Sequence, residues 1–229
     1  MLFRSLVLSS TFRQAEPGLE GADPRRRLSA EALRDHALLA SGLLVERVGG
    51  PSVKPYQPAG LWQEKSGRTY DQGHGEALHR RSLYTFWKRT SPPPTMMIFD
   101  AAKRDVCVVR RRATSTPMQA LVLWNDPQFV EAGRVLAASL LQGQEDDATR
   151  VEELWLRCAT RPPTTAEHAT TLELLADLRA DYAANPEEAT AARAVGEAPL
   201  PEGLDPIEHA AWTLTAVTVF SHHASVSLR

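Results

Sequence analysis

A chain of 229 residues with 43% hydrophobic and 24% charged residues has the composition of an ordinary globular protein, long enough to bury a sizeable core. A formal net charge of -2 argues against a basic nucleic-acid binder, although residues 1–112 hold 19 Lys/Arg against 11 Asp/Glu while residues 113–229 hold 7 against 17, so that the two halves can attract each other. The only cysteines, Cys107 and Cys158, exclude a disulfide framework and a cysteine-rich zinc site, and no stretch reaches the roughly 18 consecutive apolar residues of a membrane span.

The N-terminal MLFRSLVLSSTFRQ is apolar, but Arg4 interrupts it, Arg13 follows, and no small-x-small cleavage site appears. No signal peptide is expected in this chain; Leu2, Phe3, Leu6 and Val7 suit one face of a short helix. Ser29 is placed to cap a helix over 30–48, with Leu28 and Leu33 as a hydrophobic staple and Leu33, Ala37, Ala40 and Leu44 as its buried stripe, ended by Gly49-Gly50-Pro51. Residues 51–79 are rich in Pro and Gly, hold Tyr56, Trp62 and Tyr70, and lack a helical or strand period, which predicts an ordered excursion over the surface.

Residues 82–88 and 106–112 are dense in aromatic and β-branched residues and are candidates for two short strands that could pair, separated by Pro92-Pro93-Pro94. In an extended 106–112 segment Arg110 and Arg112 share a face and Arg111 takes the other. Thr116-Pro117-Met118-Gln119 predicts a brief helix with Thr116 and Gln119 as a capping box, and Asp126 caps a second helix on which Phe129, Gly133, Leu136 and Leu140 keep helical spacing. Helices over 149–160 and 165–183 follow, the latter opened by Thr164 with Glu167. A loop over 185–204 has a helical turn after Pro186, and a last helix runs from the Asp205 cap to about Phe220. The fold class predicted is mostly α, with that short two-stranded element, as a single domain 1–229. The alternative division separates a motif-bearing region, residues 1–143, from a helical C-terminal region, residues 144–229.

The sharpest functional idea that these residues offer is an anion site, although a structural ion-pair network is the preferred reading. Arg110 and Arg112 offer forked, permanently charged donors, and Thr116 opens a helix whose first N–H groups and positive dipole end favour an anion. Asp100, Arg104, Asn125 and Asp126 are the supporting candidates around them. The opposing reading is a structural ion-pair network with Asp100, Asp105 or Asp126. Asp100 and Asp126 would also make a carboxylate pair for glycosidic chemistry, yet the first suits a turn and the second a cap. Cys107 has no histidine in its motif and is expected to be a small buried residue. His74, Glu76 and His79 lack zinc-protease spacing, His222-His223 point apart, and neither a Gly-rich phosphate loop nor a C-x-x-C-H haem attachment is present. No metal site and no cofactor is expected in this chain.

FRSLVLSSTFRQ, SGLLVERVGGPSVKPYQPAGLW, RRSLYTFWKRTSPPP and FDAAKRDVCVVRRRATSTPMQALVLWNDPQFVEAGRVLA together resemble the planctomycete-specific C-terminal domain of unknown function. The resemblance covers about Leu2 to Phe220. It departs at Ser115, where Asn is common, and at Phe220-Ser221-His222-His223-Ala224, where the family closes on a Leu-Asn-Leu-Asp-Glu-like run. Such domains sit in large exported proteins that also carry a planctomycete cytochrome c domain. The resemblance therefore implies that the chain is a piece of a parent protein, exported with it, and partnered by its neighbouring domains. It leaves two functions open: an accessory or interaction domain, or a portion of an enzyme acting on an anionic, sulfated or uronic-acid polysaccharide, coupled to the cytochrome domain in the intact protein.

Overall fold

The computed structural model describes residues 27–109, 111–143 and 146–227, so the expected helical face of Leu2 to Val7 and the residue Arg110 lie outside the described residues. Among those described, eleven α-helices follow one another: α1 (Ala30–Ser41), α2 (Leu61–Ser66), α3 (Glu76–His79), α4 (Pro94–Ile98), α5 (Pro117–Asn125), α6 (Pro127–Gln142), α7 (Asp147–Ala159), α8 (Thr165–Ala184), α9 (Pro186–Arg193), α10 (Pro206–Ser221) and α11 (His223–Val226). None of these is long and apolar enough to cross a membrane.

The helix starts are local chemistry. The Ser29 hydroxyl accepts from the Ala32 N–H at 3.1 Å, Asp126 from Gln128, Thr164 from Glu167, and Asp205 from Glu208, each satisfying an amide that the first turn leaves open. The helix predicted over 30–48 stops at Ser41. Gly42 adopts a left-handed φ of 80°, its N–H closes on Leu39, and the Ser41 hydroxyl bonds the Ala37 and Leu38 carbonyls. The apolar run that follows is bound elsewhere, with Val45 donating to the His79 carbonyl at 3.0 Å.

The two predicted strands are not present among the described residues. Ser82–Tyr84 is a single 3₁₀ turn, after which Phe86 donates to Val53 and Val53 to Tyr84, so this segment meets residue 53 and not 106–112. The described residues contain isolated bridges but no strand. β-branched residues favour extended backbone, yet a ladder also needs a facing row of free amides, and 106–109 has none. The excursion over 51–79 is ordered as expected, though it includes α2 and α3, and Trp62 is buried beneath Lys54 and Lys88, whose ammonium groups lie 5.6 and 4.1 Å from its ring.

The core is centred on the packing of α6 against α10, with α1 also against α6 and with α8 and α9 against α10. Phe129, Ala132, Leu136 and Leu140 of α6 and Ala210, Trp212, Ala216 and Phe220 of α10 belong to one apolar cluster that extends from Ala30 to Ala224. Thr213, Thr215 and Thr218 sit on α10 because each hydroxyl donates to the carbonyl four residues earlier. Gly133 sets the approach of the two helices: a Cβ there would stand 2.6 Å from Val217 Cγ2 and 3.2 Å from the Thr213 carbonyl. Gly133→Ala is expected to destabilise by about 1–3 kcal/mol through forced separation of α6 and α10. A urea midpoint unchanged from the parent would show that the crossing yields freely.

Candidate functional site

Of the residues predicted around an anion, Asp100 and Arg112 line one pocket, while Arg104, Asn125 and Asp126 make contacts of their own. Arg104, at a positive φ of 64°, lays its guanidinium on Trp87 at 4.7 Å. Asn125 ends α5 and donates to the Leu121 carbonyl, and Asp126 caps α6 while accepting from the Thr95 hydroxyl. At the start of α5, Gln119 Oε1 accepts from the Thr116 N–H at 3.1 Å, and its amide nitrogen donates to Ile98 and to Thr114. Thr116 thus closes its own capping box. Cys107 is exposed, contrary to the burial expected of it, because the segment has no sheet to bury alternate residues against.

Arg112 instead reaches the first turn of α1. It lines a pocket of about 310 Å³ with Arg27, Ser29, Ala30, Asp100 and Arg111. Asp100, at a φ of 61°, accepts from the Thr114 N–H and hydroxyl at 2.9 and 2.8 Å and pairs with Arg27 at 2.6 Å. Arg111 grips both oxygens of Glu31 at 2.9 Å, while Arg112 forms no ion pair among the described residues. The ion pairs formed here are Arg27 with Asp100 and Arg111 with Glu31, so Asp100, an expected partner of Arg110 or Arg112, is held by Arg27 instead.

A second polar constellation has no counterpart in the predicted site. Glu131 of α6 is 1% exposed and accepts from His79 Nε2 at 3.0 Å, from the Ala198 N–H at 2.6 Å and from the Tyr56 hydroxyl at 3.3 Å. Burial by itself raises the Glu131 carboxyl, and these hydrogen bonds with the His79 charge hold it below the ordinary carboxylate range. Burial raises the Tyr56 hydroxyl, which also accepts from the Glu197 N–H at 2.8 Å. Arg134, one turn along α6, donates to the Val195 and Ala198 carbonyls. Its own carbonyl receives His209 Nε2–H at 2.9 Å, and His209 Nδ1 accepts from Arg193. That pattern requires a neutral imidazole, in keeping with the burial that lowers the His209 pKa. The network spans the 51–79 excursion, α6, the 194–199 loop and α10, and each bond it makes is internal to the fold.

Two further buried arginines do similar work. Arg34 holds the Leu78 and Arg80 carbonyls, and Arg80 reaches the Arg47, Gly49 and Pro51 carbonyls while stacking on Tyr84 at 3.8 Å. The only sequence signal for Arg34, Glu131 and Arg134 is a charged residue beside the apolar stripe of an amphipathic helix. No group of His, Cys, Asp or Glu among the described residues is arranged to hold a metal ion.

Comparison with known families matches residues 1–175 to the family described as PSD1, protein of unknown function (DUF1553). No curated protein and no solved structure matches the chain.

Proposed function

Because the chain belongs to the PSD1 family of proteins of unknown function, we propose that it is a non-catalytic interaction domain of a larger exported protein, presenting an arginine-bearing face to its neighbouring domains. The observation that carries this reading is a run of uncovered apolar side chains next to the arginines: Val109 is fully exposed, and Leu121 and Trp124 are 57% and 41% exposed. Val106, Val108 and Met118 belong to the same exposed stretch. Exposed apolar groups gain by being covered, and Arg111 and Arg112 of the same stretch of chain add charge recognition. A cytochrome-bearing, planctomycete-type parent, as the sequence resemblance implies, supplies such partners.

The enzyme reading, with a sulfated or uronic-acid polysaccharide as substrate, would use the same arginines but needs an acid and a base beside the substrate. Glu131 and His79 form such a pair only beneath the surface, with their hydrogen bonds committed to the fold. The test is calorimetric titration of this chain with the remainder of the parent protein. Val109→Asp together with Leu121→Asp is expected to weaken binding by roughly tenfold or more with unchanged circular dichroism. Equal affinity in the variant, or release of sugar fragments from a sulfated polysaccharide by the chain, would sink the proposal.

A further inference from the structure

We infer that His209 is an acid-operated latch on residues 186–199: a proton taken up by its ring favours release of α9 and the loop after it from α6 and α10. The inference is independent of the docking face. That segment is held at two arginines, and His209 meets both. Arg193, the last residue of α9, donates from Nε to His209 Nδ1 at 3.1 Å. Arg134 of α6 donates to the Val195 and Ala198 carbonyls, and its own carbonyl accepts from His209 Nε2 at 2.9 Å. His209 is 0% exposed, so water does not stand in for either partner while the segment is seated.

The two ring nitrogens respond differently to a proton. Nε2 already carries one, and its bond to the Arg134 carbonyl survives. Nδ1 accepts in the neutral ring and becomes an N–H facing the N–H of Arg193, which sets two donors against each other. The charges that bear on the ring among the described residues, Arg193 on α9 and Arg134 on α6, are both positive, as is the end of α10 where His209 lies. The neighbouring anions are engaged elsewhere. Glu131 of α6 serves His79, Tyr56 and Ala198; Glu208, beside His209, pairs with Arg179 of α8, which also holds Asp147 of α7; Asp205 caps α10. Tyr182 of α8 is a neutral phenol near neutral pH, and His222 and His223 lie at the other end of α10. Burial first, then the two arginines, lower the pKa of His209 by more than its bond to the Arg134 carbonyl restores. The stability that the neutral ring contributes is therefore fully present above the unfolded histidine pKa of about 6.5 and is lost as pH falls toward the lower folded value. Two other histidines approach the same network, and both oppose release. His79 bonds Glu131 and His74 bonds Glu197, so a proton on either sets a positive charge beside a carboxylate that it already holds.

The test is amide hydrogen exchange of the whole chain, read by NMR at about pH 7.5 and about pH 5.5 and corrected for intrinsic rates. One proton taken up on opening allows a change of about tenfold per pH unit, so the opening of residues 188–199 is expected to rise roughly five- to tenfold at the lower pH, with α6 and α8 rising less than about twofold. Arg193→Gln puts an amide that can donate or accept opposite Nδ1 and is expected to flatten the rise to below about twofold. Arg193 is partly exposed, so this variant should fold even where His209→Gln does not. His74→Gln, at an exposed position, should keep the full rise. Nitrogen NMR of the unmodified protein is expected to show the Nε2–H tautomer of His209 at the higher pH. An Nδ1–H tautomer, or protection of residues 188–199 that does not change with pH, would overturn the latch. So would a rise that persists in Arg193→Gln, one abolished by His74→Gln, or one shared equally by α6 and α8.

Discussion

Glu131→Ala is expected to destabilise the protein by about 3–5 kcal/mol, because it deletes the acceptor on which a buried cation and three donors depend. His79 Nε2, the Ala198 N–H and the Tyr56 hydroxyl would all lose their partner at once, and the neighbouring Arg134 would lose a carboxylate 4.0 Å away. Water cannot easily replace it, since Glu131 is 1% exposed and Gly196, at a φ of 90°, leaves no room for even a Cβ against its side chain. Urea denaturation measures the loss. A change below about 1 kcal/mol would mean that the network is dispensable, contrary to the usual cost of unpaired buried groups.

The same carboxylate sets a pH dependence. Its folded pKa lies below the ordinary value, so the stability it contributes is fully present above the unfolded carboxyl pKa of about 4.3 and is lost as pH falls through the lower folded value. Asp147 beside Arg179, and Glu167, held at about 2 by Arg161, act in the same direction. Stability is therefore expected to fall progressively below about pH 4.5, and the fall should be shallower in Glu131→Gln. Parallel pH profiles for the two proteins would remove Glu131 from this account.

Arg34→Met carries the second large effect, about 3 kcal/mol, despite a good match in length. Arg34 is 3% exposed and donates to Gln128, to the Leu78 and Arg80 carbonyls and to the Ser82 hydroxyl. Burial pulls its pKa down to about 10, which still leaves it charged at neutral pH. The methionine would fill the space but orphan two carbonyls where the 51–79 excursion rejoins the core. Limited trypsin digestion should then cut at Lys65 and Arg68 earlier than in the parent, while α6 to α10 stay protected. Arg34→Lys restores the charge without the planar fork and is expected to recover only some of the stability. Full recovery would show that charge alone suffices.

The arginine pocket is half legible in the sequence. Arg112 and Asp100 stand out there as neighbours in one motif, but Arg27 belongs to a basic run with no evident partner, and it meets Asp100 across a separation of 73 residues. The capping grammar of Thr116 points an anion to its own helix start, whereas the helix that Arg112 reaches is α1. Spacing along 106–112 cannot decide between them, since the segment has no strand to give its side chains alternating faces. The exposure of Cys107 escapes the sequence for the same reason. The early end of α1 is visible in Ser41-Gly42, but the apolar Leu43-Leu44-Val45 suggests that the helix continues.

What the sequence by itself determined is the helical class and the places where helices begin: Ser29, Thr116, Asp126, Thr164 and Asp205 act on amides within three residues, so no distant partner is needed to read them. What only the tertiary structure decided is which charges are buried and what they hold. Arg34 finds its partners 44 to 94 residues away, and Glu131 finds His79 at a separation of 52 and Ala198 at 67. A buried charge is stable only where several remote groups arrive together to replace its water, and that coincidence is a property of the packed fold and not of any local pattern.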